Sequence, residues 1–307
     1  YKGVVVSHGI CPRYSDIDTY HMAANALDEA LRNYVAVGGN PDHWAGLDNF
    51  CWCDPVLSEK TPDGPYKMAQ LVRANQALLD YCVPLNLPLV SGKDSMKNDF
   101  YDGTTKISIP PTLLFSVIGT IPDIRNAVTM DFKRPGDIIC LLGATKDELG
   151  GSEYLAMQGY TGNKVPKVDV TSALARYKAL HGAIMSGLVA SCHDLSDGGL
   201  AVALAESAFS GGFGCQAELT NVRYEGDTRY RTDEVLLFSE SASRLLVTVH
   251  PAQWSAFEEA MAGTVFSQIG KVSDNNTVTI AGLEGKTVLQ GSLDQLKEAW
   301  QRPLKEL

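Results

Sequence analysis

One stretch limits the fold more than any other. Between residues 19 and 35, Ala23, Ala26, Leu27, Ala30, Leu31 and Tyr34 recur at three- and four-residue steps. That is the helical period, so all six fall on one stripe that has to be buried. Gly38-Gly39-Asn40-Pro41 ends the helix. Around it lie short apolar runs of strand type. Val4–Val6 comes first, followed by a turn-rich stretch through Tyr14. Leu87–Val90 runs into Ser91-Gly92-Lys93-Asp94-Ser95, and Leu113–Ile118 makes a later strand. A second helix is expected over 66–82, with Met68, Leu71, Val72, Leu78, Leu79 and Cys82 on its apolar side.

The character of the chain changes near 122–136. Pro122, Asp123, Arg134, Pro135 and Gly136 mark a linker, and the buried strand Ile138–Leu142 follows. The boundary expected here divides the chain into 1–124 and 125–307. The second part offers helices near 171–187 and 199–209 and a strand near 188–192. Further β-like segments fall at Leu236–Phe238, Arg244–Val249 and Thr277–Ile280. Strands and helices alternate irregularly, so the class is α+β or mixed α/β.

The 307 residues, 45% of them apolar, are enough for two domains with real cores. A net charge of −10 argues against nucleic acid or an anionic membrane as partner, because phosphates are repelled overall. A nucleotide is still admissible where Mg²⁺ bridges carboxylates and phosphate. No apolar run approaches the ~20 residues that span a bilayer, and no signal peptide is visible. The seven cysteines are scattered, and Cys51-Trp52-Cys53 matches neither a zinc knuckle nor a thioredoxin motif. They read as reduced thiols of a cytoplasmic protein. The chain opens at Tyr1 without methionine, directly before a strand, and reads as a piece of something longer.

Three places could do chemistry. His193-Asp194-Leu195-Ser196-Asp197-Gly198-Gly199 stands between an apolar strand and an apolar helix. Ser196 or Asp197 could cap that helix, whose N-terminus favours phosphate, with Mg²⁺ relieving the repulsion from Asp194. The plain alternative is a capped helix start. Ser91-Gly92-Lys93-Asp94-Ser95 puts a cation, a carboxylate and hydroxyls at a strand's end, but it is not a Walker A loop. A polar turn explains it equally. Asn25, Glu29 and Asn33 make one rib at four-residue spacing beside the stripe. Oxygens of Glu29 and Asn33 could hold a hard cation, or the rib could be a solvated face. His8, His21, His43, His181 and His250 show no metal spacing.

Three stretches match a family in order and spacing. Val90 to Lys97, then Glu148-Leu149-Gly150-Gly151-Ser152-Glu153-Tyr154, then Cys192 to Ala201 resemble phosphoribosylformylglycinamidine synthase. Cys11-Pro12-Arg13-Tyr14, Asp28 to Asn33 and Leu47 to Phe50 extend the likeness to nearly the whole chain. The likeness is to the second of the family's two tandem halves. It implies an aminoimidazole ribonucleotide synthetase-like architecture, a strand-rich dimerising N-terminal domain followed by a C-terminal α/β domain. It implies Mg²⁺ and ATP or ADP as cofactors, with Glu29, Asn33 and Asp194 as metal ligands of an auxiliary nucleotide site and Ser196 as a nucleotide contact. A further carboxylate ligand would lie before Tyr1. Gly92, Lys93 and Ser95 would reach the catalytic nucleotide of a partner. Lys93 stands where small members carry a metal-binding asparagine, and its ammonium would meet a phosphate directly.

The family's first half carries a Glu-His-Cys-type motif that is not found here, so no catalytic residue is assigned. The implied reaction is ATP-dependent conversion of formylglycinamide ribonucleotide to its amidine in purine biosynthesis. Ammonia would come from a separate glutaminase domain or subunit. The partners implied are the first half or a second copy of this chain. The readings that stay open are a synthase half, a non-catalytic nucleotide-binding half, and an independent ATP-dependent synthetase of the same superfamily.

Overall fold

The computed structural model describes residues 1–305. Its first strand, β1 (Gly3–Ile10), runs through the first half of the stretch expected to be turn. A 3₁₀ turn over Pro12–Asp16 leads to α1 (Thr19–Ala36), whose first turn is capped by the Asp18 carboxylate, which accepts from the amides of Tyr20 and His21. Next come β2 (Trp44–Cys51), α2 (Gly64–Cys82), β3 (Leu89–Ser95), the small hairpin β4 (Asp99–Tyr101) and β5 (Lys106–Ser108), and β6 (Thr112–Ile121). These strands form a four-stranded sheet of order β1-β6-β2-β3, antiparallel except for β2–β3.

All six residues of the α1 stripe are buried, and the helix lies along the inner face of this sheet. Gly9 of β1 makes the contact close: a Cβ there would sit 2.2 Å from the Ala26 carbonyl oxygen and 2.6 Å from the Ala30 amide nitrogen. The buried face of α2 differs from expectation. Ala74, Ala77, Leu78 and Tyr81 point inward, while Val72 and Leu79 are 60% and 59% exposed. Both faces of α2 carry apolar residues, and the one holding Ala74 and Ala77 is the one that packs inward. The Ser91–Ser95 segment also departs from the turn reading: it is the body of β3, an edge strand exposed almost throughout.

After 122–137 the chain builds a second sheet. Its elements are β7 (Ile138–Leu142), α3 (Glu153–Met157), α4 (Val170–Met185), β8 (Ser191–Asp194), α5 (Gly199–Gly211), β9 (Gly214–Glu218), α6 (Asp233–Phe238), β10 (Leu245–Val249), α7 (Trp254–Ala260), β11 (Phe266–Ser273), β12 (Thr277–Ala281), β13 (Thr287–Ser292) and α8 (Leu293–Lys305). The strand order is β13-β12-β9-β11-β7-β10-β8. Leu236–Phe238, expected as strand, is the end of α6. The Thr232 hydroxyl accepts from the Val235 amide and two acids occupy the first turn, which favours helix.

The second sheet is covered on both faces, so its central strands are apolar without alternation. Cys140, Leu142, Val247 and Val249 join the core that contains α1 and α4. Ile139, Leu141, Leu246 and Ile269 join a separate core beneath α5, α6 and α8. One core is thus shared between the two sheets, with α1 between them. All seven cysteines are free thiols. No described helix is long and apolar enough to cross a membrane.

Candidate functional site: the seam between α1 and the β8–α5 loop

The side of α1 turned away from its sheet is polar and buried. Asp28, 1% exposed, accepts from the Tyr177 hydroxyl at 2.6 Å and from the Ser243 amide and hydroxyl at 2.8 and 2.6 Å. It also pairs with Arg32 one turn on. Arg32 donates to the Ser196 hydroxyl at 2.9 Å, and its Nε lies 4.0 Å from Asp194. Burial opposes the charge on Arg32, but Asp28 and Asp194 outweigh it and hold the guanidinium well above its usual pKa.

Asp194 ends β8, placed by its register opposite Leu245 of β10. The Ser196 hydroxyl donates to it, and His193 Nδ1 lies at 3.2 Å. Burial alone would raise this carboxyl. His193 and Arg32 overcome that and lower it to about 2. His193 is in turn raised to about 9 despite burial, by Asp194 and by Glu206 at 2.8 Å.

Glu29 and Asn33 stand on the neighbouring rib of α1, against the free edge of β1. Glu29 Oε2 accepts from the Ile10 amide at 2.8 Å and the Cys11 thiol at 3.4 Å, and Asn33 Nδ2 donates to the His8 carbonyl at 3.4 Å. Glu29 Oε1 and the Asn33 carbonyl oxygen accept no hydrogen bond among the described residues. Burial raises the Glu29 carboxyl, Arg32 opposes this, and the negative charge of Asp194 adds to it. The rib is not a solvated face: Asn25 is 2% exposed and donates to the Pro166 carbonyl at 2.7 Å.

Glu240 completes the acidic surround. It accepts from the Tyr14 hydroxyl at 2.7 Å and from the amides of Gly198 and Glu153 at 2.9 and 3.0 Å. The start of α5 is therefore satisfied by a carboxylate from a distant loop. Neither Ser196 nor Asp197 caps it, because the Ser196 hydroxyl is turned to Asp194. Burial pushes Glu240 up to about 7, with Asp197 adding to the effect, and Asp197 itself is raised by burial and by Glu153. The Gly150-Gly151-Ser152 turn closes the far side. Gly151 has φ +75°, and a Cβ there would press the Tyr14 ring at 2.7 Å.

The structure thus brings Glu29, Asp194 and Ser196 around Arg32, with Asn33 one turn further along α1. It leaves Gly92, Lys93 and Ser95 elsewhere. They lie on β3, at the sheet edge opposite β1, three strand spacings or about 14 Å away. The Lys93 ammonium contacts the Ser95 hydroxyl there.

The donors suit a hard cation in kind: carboxylate and amide oxygens, two of them uncommitted, with a mutual repulsion between Glu29 and Asp194 that a divalent ion would relieve. The set is small, since among the described residues no group of three or more His, Cys, Asp or Glu is arranged to hold a metal.

Sequence reasoning gave no role to Asp28, Arg32, Tyr14, Tyr177, Ser243 or Glu240, though the first three lie in stretches that carry the family likeness. The four-residue spacing of Asp28 and Arg32 was a usable signal for a helical ion pair. Nothing local marks Glu240.

Residues 134–282 match the family described as AIR synthase related protein, C-terminal domain. The chain is 36% identical over 306 residues to the phosphoribosylformylglycinamidine synthase subunit PurL of Alkaliphilus metalliredigens, covering 99% of this chain and 38% of that protein. The Deinococcus radiodurans PurL subunit is 34% identical over 309 residues, covering 99% and 39%. The chain spans less than two fifths of the length of these curated relatives. Among solved structures, T. maritima PurL complexed with FGAR matches with a TM-score of 0.77 at 19% identity, covering 96% of this chain and 46% of that one. A chain of the HypE–HypF complex matches at 0.69 and 16% identity, covering 95% and 90%. The fold is that of these PurL and HypE structures, residues 134–282 carry the AIR synthase related C-terminal domain, and the chain as a whole is PurL-like in sequence.

Proposed function

We propose that this chain is the second synthetase-like half of a phosphoribosylformylglycinamidine synthase, organised as two units, 1–124 and 125–307. The observation that carries the reading is the 36% identity to a PurL subunit across 99% of the chain. The domain division is supported by the two sheets, each drawn from one side of the linker. In this reading the enzyme turns formylglycinamide ribonucleotide into its amidine with ATP and ammonia, the ammonia coming from a glutaminase partner. Solved T. maritima PurL structures carry FGAR, ATP or ADP, and one is of a PurLQS assembly.

The chain's own share is nucleotide binding at the seam. Glu29, Asn33 and Asp194 would hold Mg²⁺, whose charge neutralises the phosphates it bridges. Arg32 keeps Asp194 ionised and fixes the Ser196 hydroxyl, so both are set before a ligand arrives. Glu240 holds the α5 start against Tyr14 and the glycine-rich turn, which keeps the two halves of the seam in register. Gly92, Lys93 and Ser95, remote from the seam, would meet the nucleotide of a partner across the exposed face of the first sheet. The residue types at the seam bind and position, and none is placed as a nucleophile or proton carrier.

Titrating the purified chain with ADP, with and without Mg²⁺, tests this. Mg²⁺-dependent binding supports the site, and binding indifferent to Mg²⁺ rejects it. A second reading, a nucleotide retained for structure, is favoured by one observation: the seam residues are also the polar core that joins the two sheets. ADP that survives dialysis and is never exchanged during FGAR-dependent turnover of the assembled enzyme would select it.

A further inference from the structure

On the other side of the Ser239–Arg244 loop from Glu240 lies a small polar cavity of about 60 Å³. Arg176 of α4 forms part of its wall. This guanidinium is only 7% exposed and donates to the Ser243 carbonyl at 2.7 Å; among the described residues it has no carboxylate partner, and its buried Nε has no hydrogen bond. A buried cation left in that state is costly unless something else answers it. Facing the same cavity is Glu148, 8% exposed, whose Oε1 accepts from the Lys167 amide at 3.1 Å and whose buried Oε2 accepts no hydrogen bond among the described residues; burial raises this carboxyl, and the nearby Ser241 hydroxyl offsets part of the rise. The Lys167 ammonium, also at the wall, makes no ion pair or hydrogen bond.

The other acids nearby are already engaged. Asp169 caps α4 through the amides of Thr171 and Ser172, and Glu225 pairs with Lys146 at 3.8 Å. What remains unpartnered among the described residues is the buried Arg176 Nε and Glu148 Oε2, with the exposed Lys167 ammonium at the rim. The cavity continues past Lys146, Glu148 and Lys167 into an open cleft of about 570 Å³ that reaches His21, Tyr224 and Tyr230. This cleft meets α1 at His21, eight to twelve residues before Glu29 and Asn33, or about 12–18 Å along the helix.

We propose that this cavity is an oxyanion site that takes a hydrogen phosphate group, as free phosphate or as the phosphoryl end of a monoester lying in the cleft, and that it discriminates against sulfate. Arg176 Nε and the Lys167 ammonium donate to phosphate oxygens, and the P–OH donates to Glu148 Oε2. One group then satisfies the orphaned donor and the orphaned acceptor together. Sulfate has no proton to give near neutral pH and would set an oxygen against the Glu148 carboxylate. It is excluded by the same logic that makes an unpaired buried acceptor costly.

The test is titration of the intact chain with phosphate, sulfate and ribose 5-phosphate at about pH 6.5, where free phosphate is protonated and a monoester partly so. Binding is followed by calorimetry and by the NMR resonance of the Arg176 Nε–H. Millimolar or tighter phosphate binding is expected, with sulfate at least tenfold weaker. The exposed Lys167→Ala removes one charge-assisted contact without touching the core and should weaken phosphate by about tenfold. Glu148→Gln, whose amide can donate, should bring sulfate up to the level of phosphate. If ribose 5-phosphate binds more tightly than phosphate, the cleft holds the body of an ester; if it binds more weakly, free phosphate is the ligand. No response to millimolar phosphate, equal binding of sulfate by the unaltered chain, or an unchanged affinity in Lys167→Ala would each overturn the assignment.

Discussion

At the residue scale the seam depends on charges held apart from water. Asp194 is ionised because His193 and Arg32 outweigh its burial, so it can serve as a cation ligand over the whole working pH range. Replacing it by Asn keeps the shape and removes the charge. Asp194→Asn is expected to weaken Mg²⁺-nucleotide binding at least several-fold, and an unchanged dissociation constant by calorimetry would remove Asp194 from the site. Glu240 behaves in the opposite sense. Its pKa rises from 4.5 unfolded to about 7 folded, so the native state binds its proton more tightly. That contribution is full below pH 4.5 and disappears as the pH rises through 7. It amounts to roughly 3 kcal/mol at most by the linkage relation. Glu240→Gln should therefore flatten the stability profile across that window, as read from urea midpoints at several pH values. A slope as steep as in the unaltered chain would show that another group is responsible.

At the element scale the close contact of β1 and α1 sets everything downstream, because Glu29 and Asn33 reach the β1 edge only while the two backbones touch. Gly9→Ala places a methyl group against the backbone of Ala26 and Ala30, which cannot move aside as a side chain could. The expected cost is about 1–3 kcal/mol, in the range of overpacked cores. A drop in the urea midpoint with an unchanged slope is the signature, and a midpoint equal to that of the unaltered chain would contradict the contact. The contrast between α1 and α2 shows what periodicity can deliver. On α1 one face is apolar and the burial follows from it. On α2 Met68, Val72 and Leu79 form a stripe as regular as Ala74, Ala77, Leu78 and Tyr81, and only the packing of the whole fold chooses between them. The α5 start was misread for a related reason. The Ser196 hydroxyl and the Asp197 carboxylate were eligible caps, but a carboxylate 42 residues away in sequence takes the Gly198 amide.

At the scale of the whole molecule, the outer face of the first sheet is bare. Val4, Val6, Ile10 and Ile118 are 70%, 69%, 43% and 47% exposed on adjacent strands, a patch of the kind that marks an interaction surface. The chain is expected to self-associate through this face, or to cover it with its partner half. Light scattering at rising concentration should show dimer, and Val6→Lys should return it to monomer. A monomer at every concentration would count against pairing of the isolated chain. Lys93 and Ser95 lie on the opposite edge strand of this sheet, so loss of the pairing should also remove any effect of Lys93→Ala on nucleotide turnover.

The sequence by itself determined the helix of the buried stripe, about half of the strands, the place where one sheet's strands give way to the other's, and the likeness to PurL. Each is written in local period or in contiguous motifs, and neighbouring residues along a chain have nearly fixed geometry. Only the tertiary structure decided which polar groups meet. Glu29, Arg32 and Asp194 come together because α1 is wedged between two sheets. Glu240 reaches Gly198, and Arg176 is left without a carboxylate, through packing among segments far apart in sequence. Such encounters depend on burial and shape summed over the whole fold, and no short window of residues carries that sum.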